Sequence, residues 1–335
     1  MKNLKLSIAR AKSILDAALK NRILVAGDIM LDQFIRGSVV RISPEAPVPV
    51  VDFEQESFMP GGAANVARNL TALQIPTDLI GVVGNDHPAN QLRSLLAECS
   101  IGCRGILTVH TRSTSVKTRI VAHRQQVVRI DRETHTEVDK NATSRLLEMI
   151  RSAKNIGAIV VGDYAKGVVT QELVDSLRTF CRNKGIWLSM DPKPAHSLNL
   201  AGLSLITPNR KETFELARLP DGSRHTNPLS DPGLLRASEK LLDTLKPAIL
   251  LVTLGEQGML LCQRGLKPVH IPTVAKEVFD VSGAGDTVIA TFTMAITGGA
   301  SPLEAAILAN HAAGVVVGKL GTATVTRNEL LASLG

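Results

Sequence analysis

Hydrophobic and polar positions along the chain follow two rhythms. Apolar residues at helical spacing within 1–20, with Ile8, Ala11, Ile14, Leu15, Ala18 and Leu19 on one face, predict an amphipathic helix. Short apolar runs at 22–27, 77–84, 158–162, 186–190, 203–207 and 248–253 predict buried strands. Helical patterns at 89–97, 142–153 and 171–183 lie between them. Such alternation predicts an α/β fold, a doubly wound, mostly parallel sheet flanked by helices. Two stretches break the rhythm. At 33–58 and 105–131 apolar and polar residues alternate, with prolines at 44, 47 and 49, as in short antiparallel strands. Together they predict one small sheet, inserted in a single domain spanning 1–335, that forms a lid or a dimer surface. The Pro-, Gly-, Ser- and Asp-rich stretch 219–233 predicts a mobile surface loop. Helices over 286–297 and 302–319, with a turn and short strand at 318–325, close the chain.

Composition narrows the functions. The chain has 335 residues, 44% hydrophobic and 21% charged, enough for a large core and a smaller appendage. A net charge of +7 is scattered and aromatics make up 3%, so the lack of a basic tract and the few stacking platforms argue against nucleic acid. A mild positive balance suits small anionic substrates. The four cysteines form no C-x-x-C pair, which points away from a zinc site or disulfide framework and toward a reducing compartment. Charges spread through the first helix exclude a signal peptide or membrane span, so a cytoplasmic location is expected.

The chemistry concentrates at 279–287. Gly283, Ala284 and Gly285 lead into an apolar helix, and small residues let backbone N–H groups approach a ligand. The first N–H groups of a helix lack intrahelical partners and carry the positive end of its dipole, a place for phosphate. Asp286 in the first turn would repel that phosphate as a binder. As a base it could take a proton from an attacking hydroxyl. The helix dipole favours its charged form.

Other strand ends carry polar groups, as ligand sites in doubly wound sheets do. Asp28 follows the first strand, where it either accepts sugar hydroxyls or caps a turn. Gly61, Gly62 and Asn65 open a helix, either beside a polar ligand or for close packing. Asp163 to Gly167, Asp191-Pro192-Lys193, Asn209 to Glu212, and Gly255 to Gly258 follow four later strands.

This constellation resembles the ribokinase-like family of sugar kinases. The resemblance rests on Gly61-Gly62-Ala63-Ala64-Asn65, on Asp280-Val281-Ser282-Gly283-Ala284-Gly285-Asp286, and on Asn209-x-x-Glu212. Ser282 stands where the family usually has threonine, and no G-x-x-x-x-G-K-[ST] loop is present. Arg41 to Val50, Lys117-Thr118-Arg119, Asp163 to Gly167, Asp191-Pro192-Lys193 and Leu320 to Val325 are similar to one branch, the bacterial heptose 7-phosphate kinases of lipopolysaccharide precursor synthesis. Many members of that branch are fused to a nucleotidyltransferase domain. This chain ends at Gly335 without one and so resembles the separate kinase form.

The resemblance implies phosphorylation of D-glycero-β-D-manno-heptose 7-phosphate by ATP at the anomeric hydroxyl, with Mg²⁺. Asp286 would be the base, and Gly283, Ala284 and Gly285 would hold the transferring phosphoryl group. Asn209, Thr253, Gly255, Gly258 and Asn310 would line the nucleotide, and Glu212 would act on the metal through water. Asp28, Gly61, Gly62, Asn65 and Asp163 would hold the sugar. Lys166 and Lys193, with Arg129 or Lys117 from the lid, would meet its phosphate. A homodimer through the lid is expected. Rival readings are a kinase of another sugar such as fructose 6-phosphate, a non-catalytic nucleotide-binding regulator, and a dehydrogenase. The sparse Gly255-x-x-Gly258 argues against the last.

Overall fold

The computed structural model describes residues 5–123 and 125–335. Helix α1 (Ile8–Ala18) leads into β1 (Arg22–Ile42), β2 (Pro49–Gly62), α2 (Ala63–Ala72), β3 (Thr77–Val83), α3 (His87–Glu98), β4 (Gly102–Thr108), β5 (Ser115–Ala122) and β6 (Gln125–Arg132). Regular alternation follows through α4 (Lys140–Ser152), β7 (Ile156–Gly162), α5 (Gln171–Lys184), β8 (Trp187–Asp191), β9 (Leu205–Ile206), α6 (Arg210–Ala217), α7 (Pro232–Leu245) and β10 (Ile249–Thr253). Then β11 (Met259–Cys262) and β12 (Val269–Ile271) return antiparallel, before α8 (Ala284–Thr297), α9 (Pro302–Val317) and α10 (Arg327–Ala332). The predicted first helix is α1. Residues 1–4 of that expectation lie outside the described residues.

The main sheet runs β12-β11-β10-β9-β8-β7-β1-β3-β4, parallel from β10 through β4. Its strands are apolar on both faces because helices cover both. Ile23 and Val25 of β1 join the core beneath α1, α2, α8 and α9, while Leu24 and Ala26 join the core beneath α4, α5 and α7. Ala158 and Val160 of β7, and Ile159 and Val161, divide in the same way. Each large aliphatic side chain fully buried here stabilises the fold by about 1.5–3 kcal/mol.

The first strand does not end at Gly27, as its apolar run suggested. It continues for 21 residues and belongs to two sheets. Its first part pairs with β3 and β7. From Ile29 and Met30 onward it pairs antiparallel with β2 and parallel with β5, and β6 completes the second sheet beyond β5. Met30 to Gly37 therefore have a paired strand on each side after the chain leaves the main sheet. Residues 105–108, expected in the small sheet, lie instead in β4 at the edge of the main sheet.

Two further expectations change. Residues 318–325 form turns with no strand among the described residues, and α10 follows, started by a Thr326–Glu329 capping box. The 219–233 loop is fastened: Arg210 donates to Asp221 at 2.7 Å and to Asp231 at 2.9 Å, and Ser223 Oγ donates to Asp231 at 2.7 Å.

Candidate active site

The glycine-rich loop opens α8, a helix buried on nearly every side from Thr287 to Ala295. Gly283 is its N-cap with φ +79°, a left-handed conformation that a side chain resists. A Cβ there would also come within 2.7 Å of Asn65 Nδ2. Gly62 starts α2 with φ +59°, where a Cβ would meet the Asp28 carbonyl oxygen at 2.6 Å. These two constraints let the starts of α2 and α8 face each other.

Asp286 sits between them. Asn65 Nδ2 donates to its Oδ2 at 2.7 Å, and the Tyr164 hydroxyl donates to its Oδ1. Burial pushes the Asp286 carboxyl above the usual range, against the pull of those two hydrogen bonds and of Lys193. Position at a helix N-terminus had suggested the opposite direction, and desolvation overrides the dipole. Burial, followed by the charge of Asp286, raises the Tyr164 phenol well above its ordinary value, so it remains a donor. Asn65 Oδ1 is buried and lacks a hydrogen-bond partner. Asn69 backs the pair by donating to the Asn65 carbonyl and accepting from Thr287 Oγ1 at 2.8 Å.

Beside Asp286, Lys193 Nζ donates to Asp191 Oδ2 at 3.1 Å and to Glu212 Oε1 at 2.8 Å. Burial raises Asp191 to about 7 in spite of this ammonium. Burial alone would lower Lys193, yet Asp191 and Glu212 hold it above the ordinary lysine value. Glu212 also accepts from Asn209 N, while Asn209 Oδ1 accepts from Glu212 N, both at 2.9 Å. This capping box starts α6 and sets Asn209 next to Thr253.

On the other side of the glycine-rich loop lies a cavity of about 470 Å³ lined by Thr253, Gly255, Gly258, Ala284, Gly285 and Asn310 together with apolar Val278, Val281, Val288 and Val317. Its volume is that of a small-ligand site. Asn310 donates to the Pro272 carbonyl at 2.8 Å, which fixes its amide at the wall. Asp280 accepts from Ser282 N at 2.8 Å and from Gly321 N at 3.1 Å, and so ties the loop to residues 318–325.

The inner face of the lid carries charge. Asp32 of β1 pairs with Arg119 of β5 at 2.5 Å, and Asp32 Oδ2 lies where a Cβ on Gly61 would be 2.3 Å away. Glu133 has a side chain only 7% exposed. It pairs with Lys166 and lies 3.7 Å from Lys117. Glu133 Oε1 and Asp163 Oδ2 are buried without hydrogen-bond partners, and Asp163 Oδ1 accepts from Ala165 N at 2.9 Å and meets His196 Nδ1 at 3.0 Å.

Three expected sugar-side contacts are placed differently. Asp28 is 1% exposed, and its oxygens accept from the backbone N–H groups of Tyr164 at 2.8 Å, Lys166 at 3.0 Å and Val168 at 3.0 Å. Its carboxylate organises the 163–168 loop and is not presented to a ligand. Arg129 is turned to Asp131 at 2.8 Å, with about half of its side chain exposed (47%). Lys193 belongs with Glu212, not with Lys166. Glu133 was not singled out from sequence, and Tyr164 and Arg119 entered only as members of the Asp163 to Gly167 and Lys117-Thr118-Arg119 stretches, with no role of their own. Tyr164 left one signal, since it is the only tyrosine in the chain and follows a strand end directly.

Strand order, lid and helix-start loop together define the ribokinase-like class of α/β fold. Solved structures agree on that fold. Arabidopsis thaliana ribokinase complexed with ribose and ATP matches with a TM-score of 0.72 at 20% identity, over 94% of this chain and 98% of that one. Escherichia coli phosphofructokinase-2 in complex with substrates and products matches with a TM-score of 0.76 at 20% identity, over 94% and 98%. The chain belongs to the pfkB family of carbohydrate kinases, whose family model matches residues 20–329. It is thus an ATP-dependent sugar kinase. It is 44% identical over 313 residues to the bifunctional protein HldE of Geobacter sulfurreducens, across 93% of this chain and 62% of that protein. It is 44% identical over 319 residues to HldE of Magnetococcus marinus, across 94% and 64%. The chain therefore spans less than two thirds of the length of these relatives. Among the described residues no helix is long and apolar enough to cross a membrane.

Proposed function

We propose that this kinase transfers the γ-phosphoryl group of ATP to the anomeric hydroxyl of D-glycero-β-D-manno-heptose 7-phosphate, giving the 1,7-bisphosphate and ADP. The observation that carries the reading is the placement of Asp286. It lies at the start of α8 between Asn65 and Tyr164, with the 470 Å³ cavity on the far side of the same loop. A sugar hydroxyl beside Asp286 and a triphosphate along the loop would meet in line. The likeness of several stretches to heptose 7-phosphate kinases, and the 44% identity to proteins named HldE, favour a heptose over other sugars.

Asp286 accepts the anomeric proton as the sugar oxygen bonds to the γ-phosphorus and the bond to the ADP oxygen breaks. Backbone N–H groups at Gly283 and Gly285 hold the charge on the moving phosphoryl group, while the Ala284 N–H, expected to join them, donates to the Val281 carbonyl at 3.2 Å and closes the turn. Tyr164 and Asn65 fix the carboxylate and keep its proton transfer in line. Asn65 Oδ1 and Asp163 Oδ2, both buried acceptors without partners, suit sugar hydroxyls. Lys166 and Lys117 suit the 7-phosphate. Thr253, Gly255, Gly258 and Asn310 hold the nucleotide, with Asn209 at its phosphates.

Among the described residues no three metal-ligating side chains converge as a cage. Asp191 and Glu212, two carboxylates already sharing one ammonium, suit a hydrated Mg²⁺ held through its waters. That ion would neutralise the phosphate oxygens of ATP. The lid would exclude water from the reacting groups. Its edge strands β2 and β6, with exposed Phe53, Val128 and Ile130, would meet a second copy of the chain. A monomeric mass by light scattering at assay concentration would remove the dimer from this reading. A cytoplasmic kinase in ADP-heptose synthesis, acting as one domain, completes it.

The test is ADP release with Mg·ATP across heptose 7-phosphate, fructose 6-phosphate and unphosphorylated sugars. Turnover confined to the heptose supports the reading. Faster turnover of another sugar replaces the substrate and keeps the mechanism.

A further inference from the structure

We propose that Lys193 is a catalytic residue that contacts the phosphoryl group in flight, and is not a ligand of the phosphate already on the sugar. Its backbone is held firmly. Pro192 and Pro194 flank it, and His196, one turn on, meets Asp163 at 3.0 Å. Its side chain therefore leaves a fixed point.

That side chain lies at the seam of the site. Nζ donates to Asp191 at 3.1 Å and to Glu212 at 2.8 Å, and stands 6.0 Å from the centre of the Tyr164 ring. Tyr164 in turn donates to Asp286. Lys193 thus stands between the base that receives the sugar's proton and the carboxylate on the nucleotide side. Lys166 and Lys117 form a separate group around Glu133, under the lid. The two cation groups answer two different anions.

An ammonium has three N–H donors, and Asp191 and Glu212 take two of them. The third is free for a phosphoryl oxygen. In a loose transfer the charge spreads over three equatorial oxygens, and a fixed cation beside them lowers the barrier. Lys193 exchanges no proton. The sugar proton goes to Asp286, the new bond joins the anomeric oxygen to phosphorus, and ADP leaves with the electron pair of the broken bond.

The proposal rests on Asp286 as base but not on the identity of the sugar. The test therefore uses whichever sugar of the panel the wild type turns over fastest. Lys193→Met should lower kcat by about 100-fold or more, as loss of one transition-state donor does. KM for sugar and the Kd of a non-hydrolysable ATP analogue should change by less than about threefold, since the contact is made in the transition state. Lys193→Arg should recover part of kcat. A raised KM for the phosphorylated sugar with kcat preserved would return Lys193 to the sugar's own phosphate. Weaker analogue binding with kcat preserved would make it a ground-state nucleotide contact. A lower Tm with kinetics preserved would leave it a structural ion pair. If Lys193→Met does not fold, Lys193→Gln, whose amide can still donate to Asp191 or Glu212, takes its place, and the same kcat and KM readouts decide.

Discussion

Asn65 donates through Nδ2 to Oδ2 of Asp286 at 2.7 Å, across 221 residues of sequence. Both residues lie in the first turn of a helix, one in α2 and one in α8, and each helix begins at a glycine of positive φ. The contact joins the first glycine-rich motif to the second. It explains why neither motif is sufficient alone: one supplies the carboxylate and the other supplies the amide that aims it.

Replacing Asp286 by Asn should lower kcat by about a thousandfold, the middle of the range for a general base, with little change in ATP binding. Asn65→Ala should lower kcat less, by about tenfold to a hundredfold, because the carboxylate remains and only its aim is lost. Steady-state ADP release with both variants checks the order. Asn65→Ala as damaging as Asp286→Asn would mean that the amide itself touches the reacting groups.

The direction of the Asp286 shift gives a pH dependence. Burial first, opposed by Tyr164 and Asn65, holds its carboxyl above 3.8. As a base it works above that raised value, so kcat/KM should fall as pH drops through it. Stability runs the other way. A raised folded pKa contributes stability below the unfolded value, and that contribution is lost as pH rises through the folded one. At pH 7 the charged Asp286 is therefore a liability, and Asp286→Asn should melt no lower than wild type. A lower Tm for the variant at pH 7 would contradict the assigned direction.

The βα alternation, the helix-flanked sheet and the glycine-rich loops were legible because period, apolar runs and small residues report on backbone geometry directly. The long first strand was not. Its apolar run ends at Gly27, and nothing in the next residues announces that Ile29 to Ile42 will find partners in β2 and β5. Those in β5 lie 85 residues away, with Met30 opposite Ser115 and Gly37 opposite Ala122. Asp28 shows the same limit. A carboxylate at a strand end looks equally suited to a sugar and to a loop, and only the fold shows three backbone N–H groups already there. Lys193 was read with the sugar-side lysines because strand ends were treated as one site. The capping box of α6 moves Glu212 toward it and divides the cations into two groups.

Asp28→Asn tests the loop role. The amide keeps one acceptor and turns a donor toward the Tyr164, Lys166 or Val168 N–H groups. The loss of charge-assisted bonds to a buried group should destabilise the protein by about 2–4 kcal/mol. Chemical denaturation measures it. A contact made only to the sugar would instead raise KM and leave stability unchanged.

The pair that joins the first helix to the ninth predicts a second pH effect, far from the site. Arg10 of α1 donates through Nε to Glu304 at 2.8 Å and through Nη2 at 3.1 Å. Glu304 also closes the Ser301 capping box of α9. The hydrogen bond from Arg10, with help from Ser301, brings the Glu304 carboxyl down to about 2 from 4.5. A depressed folded pKa gives stability above the unfolded value that is lost as pH falls through the folded one. Glu304→Gln should therefore lower Tm at pH 7, and its deficit against wild type should shrink between pH 4.5 and pH 2. Both groups are partly exposed, so salt should reduce the difference at pH 7. Thermal melts of the two proteins at low and high salt measure this directly. A deficit that stays constant from pH 7 to pH 2 would assign the effect to the lost helix cap alone, with no contribution from the charge of Arg10.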